Sequence, residues 1–372
     1  MKNIKTLILS SSLVFASAAF AYAADSGTTA LPFLKMDMGA KYYGMGGAAV
    51  AYADDITGAS FYNPAALGQV QSFQLSGTTF ESAMDMNYTY GGIAVPVGFL
   101  SFFGNHPLNI GASVYMFDKG DMEDGVTTRS VGKDTSLALS VGEHIGTNTW
   151  DFMGSSSDLE HYLGINAKYI RSTLPKPVSG EVTADVFAFD AGYQAVLDKH
   201  FGVGVAFKNI GSKVKYIKEE DPLPYTIAAG AFFTPVEVEY VRWTLSADYL
   251  AYVREQENRV RLGSEAVFMD ILSVRGGLKL MEEIENEYSI GFGLKLFGFE
   301  VDFGTILNPQ FNDDKVYQAS ISYKFPVKKE EPRAQKETGT DKKIKDYGEY
   351  KQKQTQEAQE KAERNQSPIL YQ

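Results

Sequence analysis

The stretch VYQASISYKF, Val316–Phe325, shows the pattern that decides the fold. One set of side chains is apolar and alternates with a polar set; the apolar residues are Tyr317, Ala319, Ile321, Tyr323 and Phe325, and the polar ones are Gln318, Ser320, Ser322 and Lys324. Successive side chains of a β-strand point to opposite faces. This period of two therefore predicts a strand with one apolar and one polar face.

The same alternation recurs upstream in segments of about ten residues that are joined by short turns. Repeated segments of this length are typical of strands that cross a bilayer at a tilt. The predicted strands begin near Val70, Asp85, Leu108, Thr135, Tyr162, Val182, Phe201, Tyr225, Tyr240, Asn258, Ile271, Glu287, Phe299 and Lys315. A secreted β-sandwich has the same period, but the length and number of the segments favour an all-β, transmembrane, antiparallel β-barrel of about 14 strands.

A different pattern precedes the strands, in the stretch MGAKYYGMGGAAVAYADDITGASFYNPAALG, Met38–Gly68. Its glycines permit backbone angles and close approaches that other residues resist. Asp54, Asp55 and Asn63-Pro64-Ala65 supply the side-chain acceptors and the fixed φ that tight turns need. The stretch is therefore predicted to be a compact, turn-rich piece packed against something larger.

The order of these residues resembles the start of the mature chain in PorV-like (UPF0164-like) and FadL-like outer-membrane proteins. The matching positions are Gly44, Gly46, Gly47, Asp54, Asp55, Asn63, Pro64 and Ala65. In FadL-like members this region forms a periplasm-side hatch inside a barrel of about 14 strands, and in PorV-like members the barrel serves protein export. The resemblance thus implies a hatch at residues 24–68, with these eight residues as its hatch or gating residues.

The first residues are typical of a secretory signal peptide. Lys2 and Lys5 precede an apolar run, and Ala21-Tyr22-Ala23 offers a small-x-small cleavage site. The apolar run is shorter than the roughly 20 residues that a spanning helix needs. Residues 1–23 are therefore predicted to be the signal peptide of an exported chain.

The composition excludes several function classes. The net charge of −11 argues against nucleic-acid binding, and the absence of Cys excludes disulfides, thiolate metal sites and cysteine nucleophiles. His106, His144, His161 and His200 lie far apart in the sequence, without the spacing of a metal or catalytic site. The chain is therefore predicted to be no enzyme and to hold no metal or cofactor.

Charged residues fall on the polar face of the later strands and are predicted to line the barrel lumen: Arg242, Asp248, Arg259, Arg261, Glu265 and Arg275, followed by Lys279, Lys295, Glu300 and Asp302. Mixed charges at this density are typical of a solvated, salt-bridged wall. A second interpretation is that Arg259, Arg261 and Arg275 anchor Asp54 and Asp55 of the hatch.

The barrel is predicted at residues 69–325, and a tail at 326–372 follows it. The tail holds 11 Lys and Arg and 9 Asp and Glu with almost no apolar residues, so it cannot build a core. It is predicted to be a charged arm in the periplasm, with a periplasmic partner as one interpretation.

The even strand count places the N-terminus and the tail together in the periplasm. The segments Lys119–Lys133 and Lys213–Pro224 should then be external loops, and Gly142–Asp158 is a periplasmic segment that is either a hidden strand or a functional insertion.

Three functions follow for a bacterial outer-membrane protein. The stretches Asp37–Lys41, Gly44–Gly47 and Tyr62–Ala65 resemble PorV-like proteins more closely. This resemblance favours a component of protein export of the type IX kind, with secretion-machinery proteins as partners. The alternative is a FadL-like channel that takes up hydrophobic small molecules such as long-chain fatty acids or hydrocarbons. The third is a structural role, in which the partner is the lipid of the outer membrane.

Overall fold

The computed structural model describes residues 29–81, 86–103, 106–123, 128–152, 155–176, 180–281, 285–308 and 316–326, together with 351, 353, 355 and 356. The predicted signal peptide and nearly all of the predicted tail lie outside these described residues. The chain divides into two units, residues 1–326 and 327–372. The four described residues of the second unit are helical.

Fourteen antiparallel strands form a closed barrel, which confirms the predicted fold class. The strands are β1 (Gln74–Glu81), β2 (Asn87–Val97), β3 (Leu108–Asp118), β4 (Lys133–Phe152), β5 (Ser155–Pro175), β6 (Glu181–Leu197), β7 (Phe201–Gly211), β8 (Thr226–Val238), β9 (Val241–Tyr252), β10 (Glu257–Phe268), β11 (Leu272–Met281), β12 (Glu287–Leu296), β13 (Phe299–Ile306) and β14 (Tyr317–Lys324). Each strand pairs with its neighbours in the chain, and β1 pairs with β14 from Gln74↔Lys324 to Glu81↔Tyr317. Closure gives every strand a partner on both sides wherever neighbouring strands overlap.

The barrel has two distinct ends. At the terminal end, which holds the turns after the even-numbered strands, the Phe325 N–H donates to the Phe73 carbonyl at 3.0 Å. The loop end holds the connections after the odd-numbered strands. Both predicted external loops lie there, and each contains a two-stranded hairpin, Asp121–Glu123 with Thr128–Ser130 and Val214–Lys215 with Glu220–Asp221.

The segment predicted as a hidden strand or an insertion, Gly142–Asp158, consists mainly of strand. β4 has 20 residues and β5 has 21, and together they form a hairpin that extends past β3 at the terminal end. A register shift between His144 and Gly146 marks a bulge in this hairpin. The fifth strand therefore begins at Ser155 rather than at the predicted Tyr162.

The outer surface of the barrel is apolar and its inner surface is more polar. In β6, Phe187 and Phe189 are exposed, whereas Val186 and Asp190 are buried. In β9, Trp243, Leu245 and Tyr249 are exposed, while Thr244, Ser246 and Asp248 are buried. This arrangement is the reverse of that in a water-soluble sandwich and suits a wall surrounded by lipid. No helix among the described residues is both long and apolar enough to cross a membrane.

The residues before β1, Thr29–Phe73, form a segment of short helices and turns that we call the N-terminal segment. It contains α1 (Ala40–Gly44), α2 (Ile56–Phe61) and two 3-10 turns, Pro32–Lys35 and Pro64–Gln69. Asp55 caps α2 by accepting a hydrogen bond from the Gly58 N–H at 2.7 Å. Asn63 caps the second 3-10 turn by accepting from the Ala65 N–H at 3.1 Å, and Pro64 supplies the φ of its first residue.

The N-terminal segment runs from one end of the barrel to the other. The Ala30 N–H donates to the Pro222 carbonyl at the loop end, while Phe73 lies at the terminal end. Thr29 and Phe325 are thus at opposite ends of the barrel. The N-terminal segment therefore crosses the barrel before β1 begins. The two ends of the chain lie outside the described residues, so their placement on one side of the membrane stays a prediction.

Candidate functional site

The N-terminal segment contacts the wall most closely at a ring of inward-facing glycines that we call the glycine girdle. Eleven strands contribute one residue each: Gly92, Gly111, Gly142, Gly164, Gly192, Gly204, Gly230, Gly263, Gly277, Gly291 and Gly304. A Cβ atom at Gly277 would lie 2.0 Å from the Gly46 nitrogen, and one at Gly164 would lie 2.1 Å from the Pro64 oxygen. These distances leave no room for a side chain. The girdle lets the backbone of the segment lie directly against the backbone of the wall.

A buried ionic cluster joins the N-terminal segment to β10 and β11. Asp37 accepts from Arg261 Nη1 at 2.7 Å through Oδ1 and from Lys279 Nζ at 2.8 Å through Oδ2. Arg261 Nη1 also donates to the Gly47 carbonyl at 3.2 Å, and Lys279 pairs with Glu287 at 3.0 Å. Two cations of the wall therefore hold one carboxylate of the segment.

Asp248 of β9 holds a second point of the segment. Its Oδ2 accepts from the Ala49 N–H at 2.7 Å and from the Val50 N–H at 2.9 Å. Asn63 donates through Nδ2 to the carbonyls of Val50 at 2.8 Å and Tyr193 at 3.1 Å. The predicted gating residue Asn63 thus links two turns of the segment to β6.

The predicted pairing of Arg259, Arg261 and Arg275 with Asp54 and Asp55 is wrong. Asp54 pairs with Lys41 at 3.2 Å and lies 3.9 Å from Lys324, and Asp55 caps α2. The physical reason is the path of the segment, which turns away from β10 and β11 after Tyr52 and brings α2 next to β1, where Thr57 and Ser76 are hydrogen-bonded.

The three arginines have other partners. Arg259 pairs with Glu257 at 2.6 Å, and Arg275 pairs with Glu265 at 2.7 Å and Asp302 at 2.5 Å. Arg261 does contact the segment, but through Asp37 and the Gly47 carbonyl.

The other predicted lumen charges divide between the interior and the rim. Asp248, Arg261, Glu265 and Arg275 are buried in the lumen. Tyr52 of the segment donates to Glu265, so these charges are paired groups in contact with the segment rather than a solvated wall. Arg242 lies at the rim of the terminal end, half exposed and 3.5 Å from Asp270 of a turn.

The remaining predicted hatch residues lie at the glycine girdle. Gly44 lies against Gly291, Gly46 against Gly277, and the Pro64-Ala65 pair against Gly164. Gly47 contacts the Asp37 carboxylate and has a φ of +75°, a conformation that favours glycine.

An apolar compartment lies inside the barrel toward the loop end. We call it the aromatic compartment; its wall residues are Phe80, Tyr88, Tyr115, Phe117, Ile170 and Val186. The rings of Tyr88 and Phe117 stack with centroids 4.1 Å apart. Leu31 and Phe33 of the N-terminal segment pack into the compartment, and the Phe33 ring centroid is 5.3 Å from that of Tyr115.

A small polar pocket adjoins the aromatic compartment. It has a volume of about 30 Å³ and is lined by residues that include Tyr115, Lys168, Asp190, Lys208 and Asn209. Lys168 and Asp190 form an ion pair at 2.7 Å, and Lys208 donates to the Phe61 carbonyl at 2.7 Å. The interior therefore combines a large apolar surface with a few fixed polar groups.

A larger apolar groove, of about 740 Å³, lies in the wall formed by β1, β2, β3 and β14. Its lining includes Leu75, Gly77, Gly91, Ile93, Val114 and Ile321. Three of these four strands, β1 to β3, also carry the rings of Phe80, Tyr88 and Phe117 on their inner face.

The four histidines are far apart in the sequence, but two of them meet in the structure. The rings of His106 and His144 are in contact, with centroids 3.9 Å apart. Within the described residues, no group of three or more His, Asp or Glu side chains is placed to hold a metal ion.

The Asp37 cluster predicts a pH dependence. Burial raises the pKa of Asp37, but the charges of Arg261 and Lys279 outweigh burial and lower this pKa from 3.8 to about 2. A carboxylate with a lowered folded-state pKa stabilises the fold above its ordinary pKa, and this contribution is lost as the pH falls through the folded value.

We therefore expect the wild type to lose about 2 kcal/mol relative to Asp37→Asn between about pH 5 and about pH 2. Unfolding of both proteins by urea in detergent, followed by circular dichroism across this range, measures the difference. A difference that stays constant over this range would contradict the assignment.

No known protein-family profile matches the chain, and no curated protein matches it in sequence. Solved structures with a similar barrel include the toluene transporter TbuX of Ralstonia pickettii, at 12% identity and a TM-score of 0.49, covering 79% of this chain and 100% of that chain. A Pseudomonas aeruginosa FadL homologue has 12% identity and a TM-score of 0.44, covering 77% and 98% of the two chains. The P. putida toluene transporter TodX has 10% identity and a TM-score of 0.44, covering 79% and 100%. Similarity at this level does not extend to function.

Proposed function

We propose that this chain is an outer-membrane conduit for hydrophobic small molecules, such as long-chain fatty acids or hydrocarbons, and that its N-terminal segment is the hatch. The observation that carries the proposal is the aromatic compartment inside the barrel. Barrels that pass ions or sugars have polar, water-filled interiors. An apolar compartment with a few polar groups beside it suits an apolar ligand with a small polar end.

The contacts of the N-terminal segment support its role as a hatch. The glycine girdle, the Asp37 cluster and Asp248 hold it against strands on several sides of the lumen. Phe33 fills space that a hydrophobic ligand would need. A ligand would therefore compete with Phe33, and its arrival would favour conformations in which the segment has moved.

The apolar groove in the wall supports a lateral route. The groove and the aromatic compartment share β1, β2 and β3, so a hydrophobic molecule would have apolar surface on both faces of the same strands. In this proposal the loop end faces outward and the terminal end faces the periplasm, because outer-membrane barrels have their longer loops outside.

Membership of the PorV-like or UPF0164-like family and a role in type IX protein export stay predictions. No contact among the described residues favours a protein client in the lumen. The aromatic compartment favours a small molecule over an export client or a purely structural role.

Binding of tritiated palmitate to the protein in lipid nanodiscs tests the proposal, with empty nanodiscs as the baseline for partition into lipid. We expect saturable binding to the wild type. We expect binding about tenfold tighter to Phe33→Ala, because the ligand no longer has to displace a ring. Phe99→Ala is the matched control, because the Phe99 side chain is exposed at the terminal end and should leave binding unchanged. Absence of saturable palmitate binding to both the wild type and Phe33→Ala would contradict the proposal.

A further inference from the structure

β4 has an open strand edge at the terminal end of the barrel. β3 pairs with β4 only as far as Glu143, whereas β5 pairs with β4 up to Phe152. In the part of the chain that the structure describes, residues 145–152 of β4 have no strand beside them on the side away from β5. At about 3.4 Å per residue this edge is about 25 Å long. The Gly146 carbonyl lies 3.0 Å from His144 Nε2, and the other backbone groups that point away from β5 are available to a further strand.

The open edge lies in water rather than in hydrocarbon. An unpaired backbone edge in the membrane core would leave N–H and C=O groups without partners, at a cost of several kcal/mol for each. The sequence of the edge agrees with this, because Thr147, Asn148 and Thr149 follow one another without an apolar face.

A turn with exposed aromatic rings lies beside the start of this edge. The buried Glu143 carboxylate accepts from the N–H groups of Phe102 at 2.9 Å and Phe103 at 3.0 Å. These bonds fix the turn after β2, in which Phe99, Phe102 and Phe103 are 86%, 74% and 65% exposed. The contact between His106 and His144 ties the end of this turn to β4. The edge therefore has apolar surface next to it.

The hairpin is also strongly acidic. Residues 143–161 contain Glu143, Asp151, Asp158 and Glu160 and no Lys or Arg. A second copy of the chain on this edge would bring acidic residues against acidic residues. A basic segment is favoured by charge complementarity.

We propose that the open edge of β4 is a docking site for an extended segment of a partner protein, with alternating basic and apolar residues, which adds to the sheet as a further strand. Main-chain hydrogen bonds supply the affinity in this mode of recognition, and side-chain contacts supply the specificity. The exposed phenylalanines would contact apolar residues of the partner, and Asp151 and Asp158 would attract its basic ones.

The test uses the full chain in a non-ionic detergent and labelled eight-residue peptides, with binding followed by fluorescence anisotropy. We expect a peptide of alternating Lys and Val to bind at least tenfold more tightly than two control peptides. One control alternates Glu and Val, and the other is the Lys-Val peptide with all backbone nitrogens methylated, which removes its hydrogen-bond donors. Equal binding of the three peptides would overturn the proposal.

Two variants locate the site. Replacing residues 146–160 by Asn-Gly shortens the hairpin and should reduce binding of the Lys-Val peptide at least tenfold, with the resistance of the folded barrel to detergent as the check of folding. Asp151→Asn should weaken binding about threefold, since it removes one charge, whereas Glu219→Gln at the loop end should not. Binding that is unaffected by shortening the hairpin would place the peptide elsewhere and overturn the proposal.

Quenching of the fluorescence of Trp150 tests whether the open edge lies in water or in lipid. Trp150 lies on this edge with half of its side chain exposed, and the chain has only one other Trp, Trp243. In the Trp243→Phe variant in nanodiscs, we expect acrylamide in the water to quench the fluorescence of Trp150 and brominated lipid to leave it unchanged. Strong quenching by the lipid would overturn the proposal.

Discussion

Gly277→Ala is expected to displace the N-terminal segment and to make the barrel conduct ions, whereas Gly276→Ala is expected to leave conductance unchanged. A Cβ atom at Gly277 would lie 2.0 Å from the Gly46 nitrogen and 2.3 Å from the Met45 carbonyl carbon. Both atoms belong to the backbone, so no side-chain rotation relieves the clash. At Gly276, the preceding residue of the same strand, a Cβ atom would have no neighbour within 4 Å.

Overpacking of this kind costs about 1–3 kcal/mol, which corresponds to a rise of about tenfold or more in the population of displaced segments. Conductance of single barrels in planar lipid bilayers measures this population. If both variants conduct as rarely as the wild type, the glycine girdle does not hold the segment in the membrane.

Asp37→Asn is expected to lower the free energy of unfolding by about 3 kcal/mol at neutral pH. The substitution keeps the size of the side chain but removes the one carboxylate among the described residues that is ion-paired with Arg261, while Lys279 keeps Glu287. Removing one partner of a buried ion pair is costly because the remaining charge stays out of water.

The matched control is Asp185→Asn, which breaks an ion pair with Arg171 of similar length, 2.8 Å, whose side chains are about half exposed. Exposed pairs contribute about 0–1 kcal/mol. Urea unfolding in detergent at about pH 7 and at about pH 3 compares the two variants. Equal effects of the two substitutions at neutral pH would show that the Asp37 cluster does not anchor the segment.

The sequence predicted the strands well where one face meets lipid. The predicted starts at Phe201, Glu287 and Phe299 coincide with the observed ones, because an apolar outer face produces a clear alternation. In the extension of β4 and β5, Thr147–Thr149 are polar in succession and give no such signal. The fifth strand was therefore predicted too short.

The site was harder to predict than the fold. Asp54 and Asp55 were predicted to meet the arginines of the wall, while Asp37, which carries the contact to Arg261 and Lys279, stood out only as the start of a stretch that resembles PorV-like proteins. The pairing of carboxylates with cations depends on the path of the N-terminal segment through the barrel. This path follows a series of turns, and turns have no repeating sequence pattern from which it could be predicted. The sequence held only a weak indication of the glycine girdle. The alternation places Gly291 on the inward face of its strand, but a single glycine in a strand does not predict a ring of them.

The central claim is that a hydrophobic molecule passes only when the N-terminal segment moves, and a reversible cross-link tests it most directly. Ser60 Oγ of α2 and Ser113 Oγ of β3 are 3.1 Å apart, and the chain has no Cys, so Ser60→Cys with Ser113→Cys introduces a single disulfide between segment and wall. The measurement is uptake of tritiated palmitate by cells that carry this double variant in the outer membrane. The account predicts that uptake falls at least tenfold when the disulfide is formed and recovers on reduction. Equal uptake by the oxidised and reduced protein would contradict it.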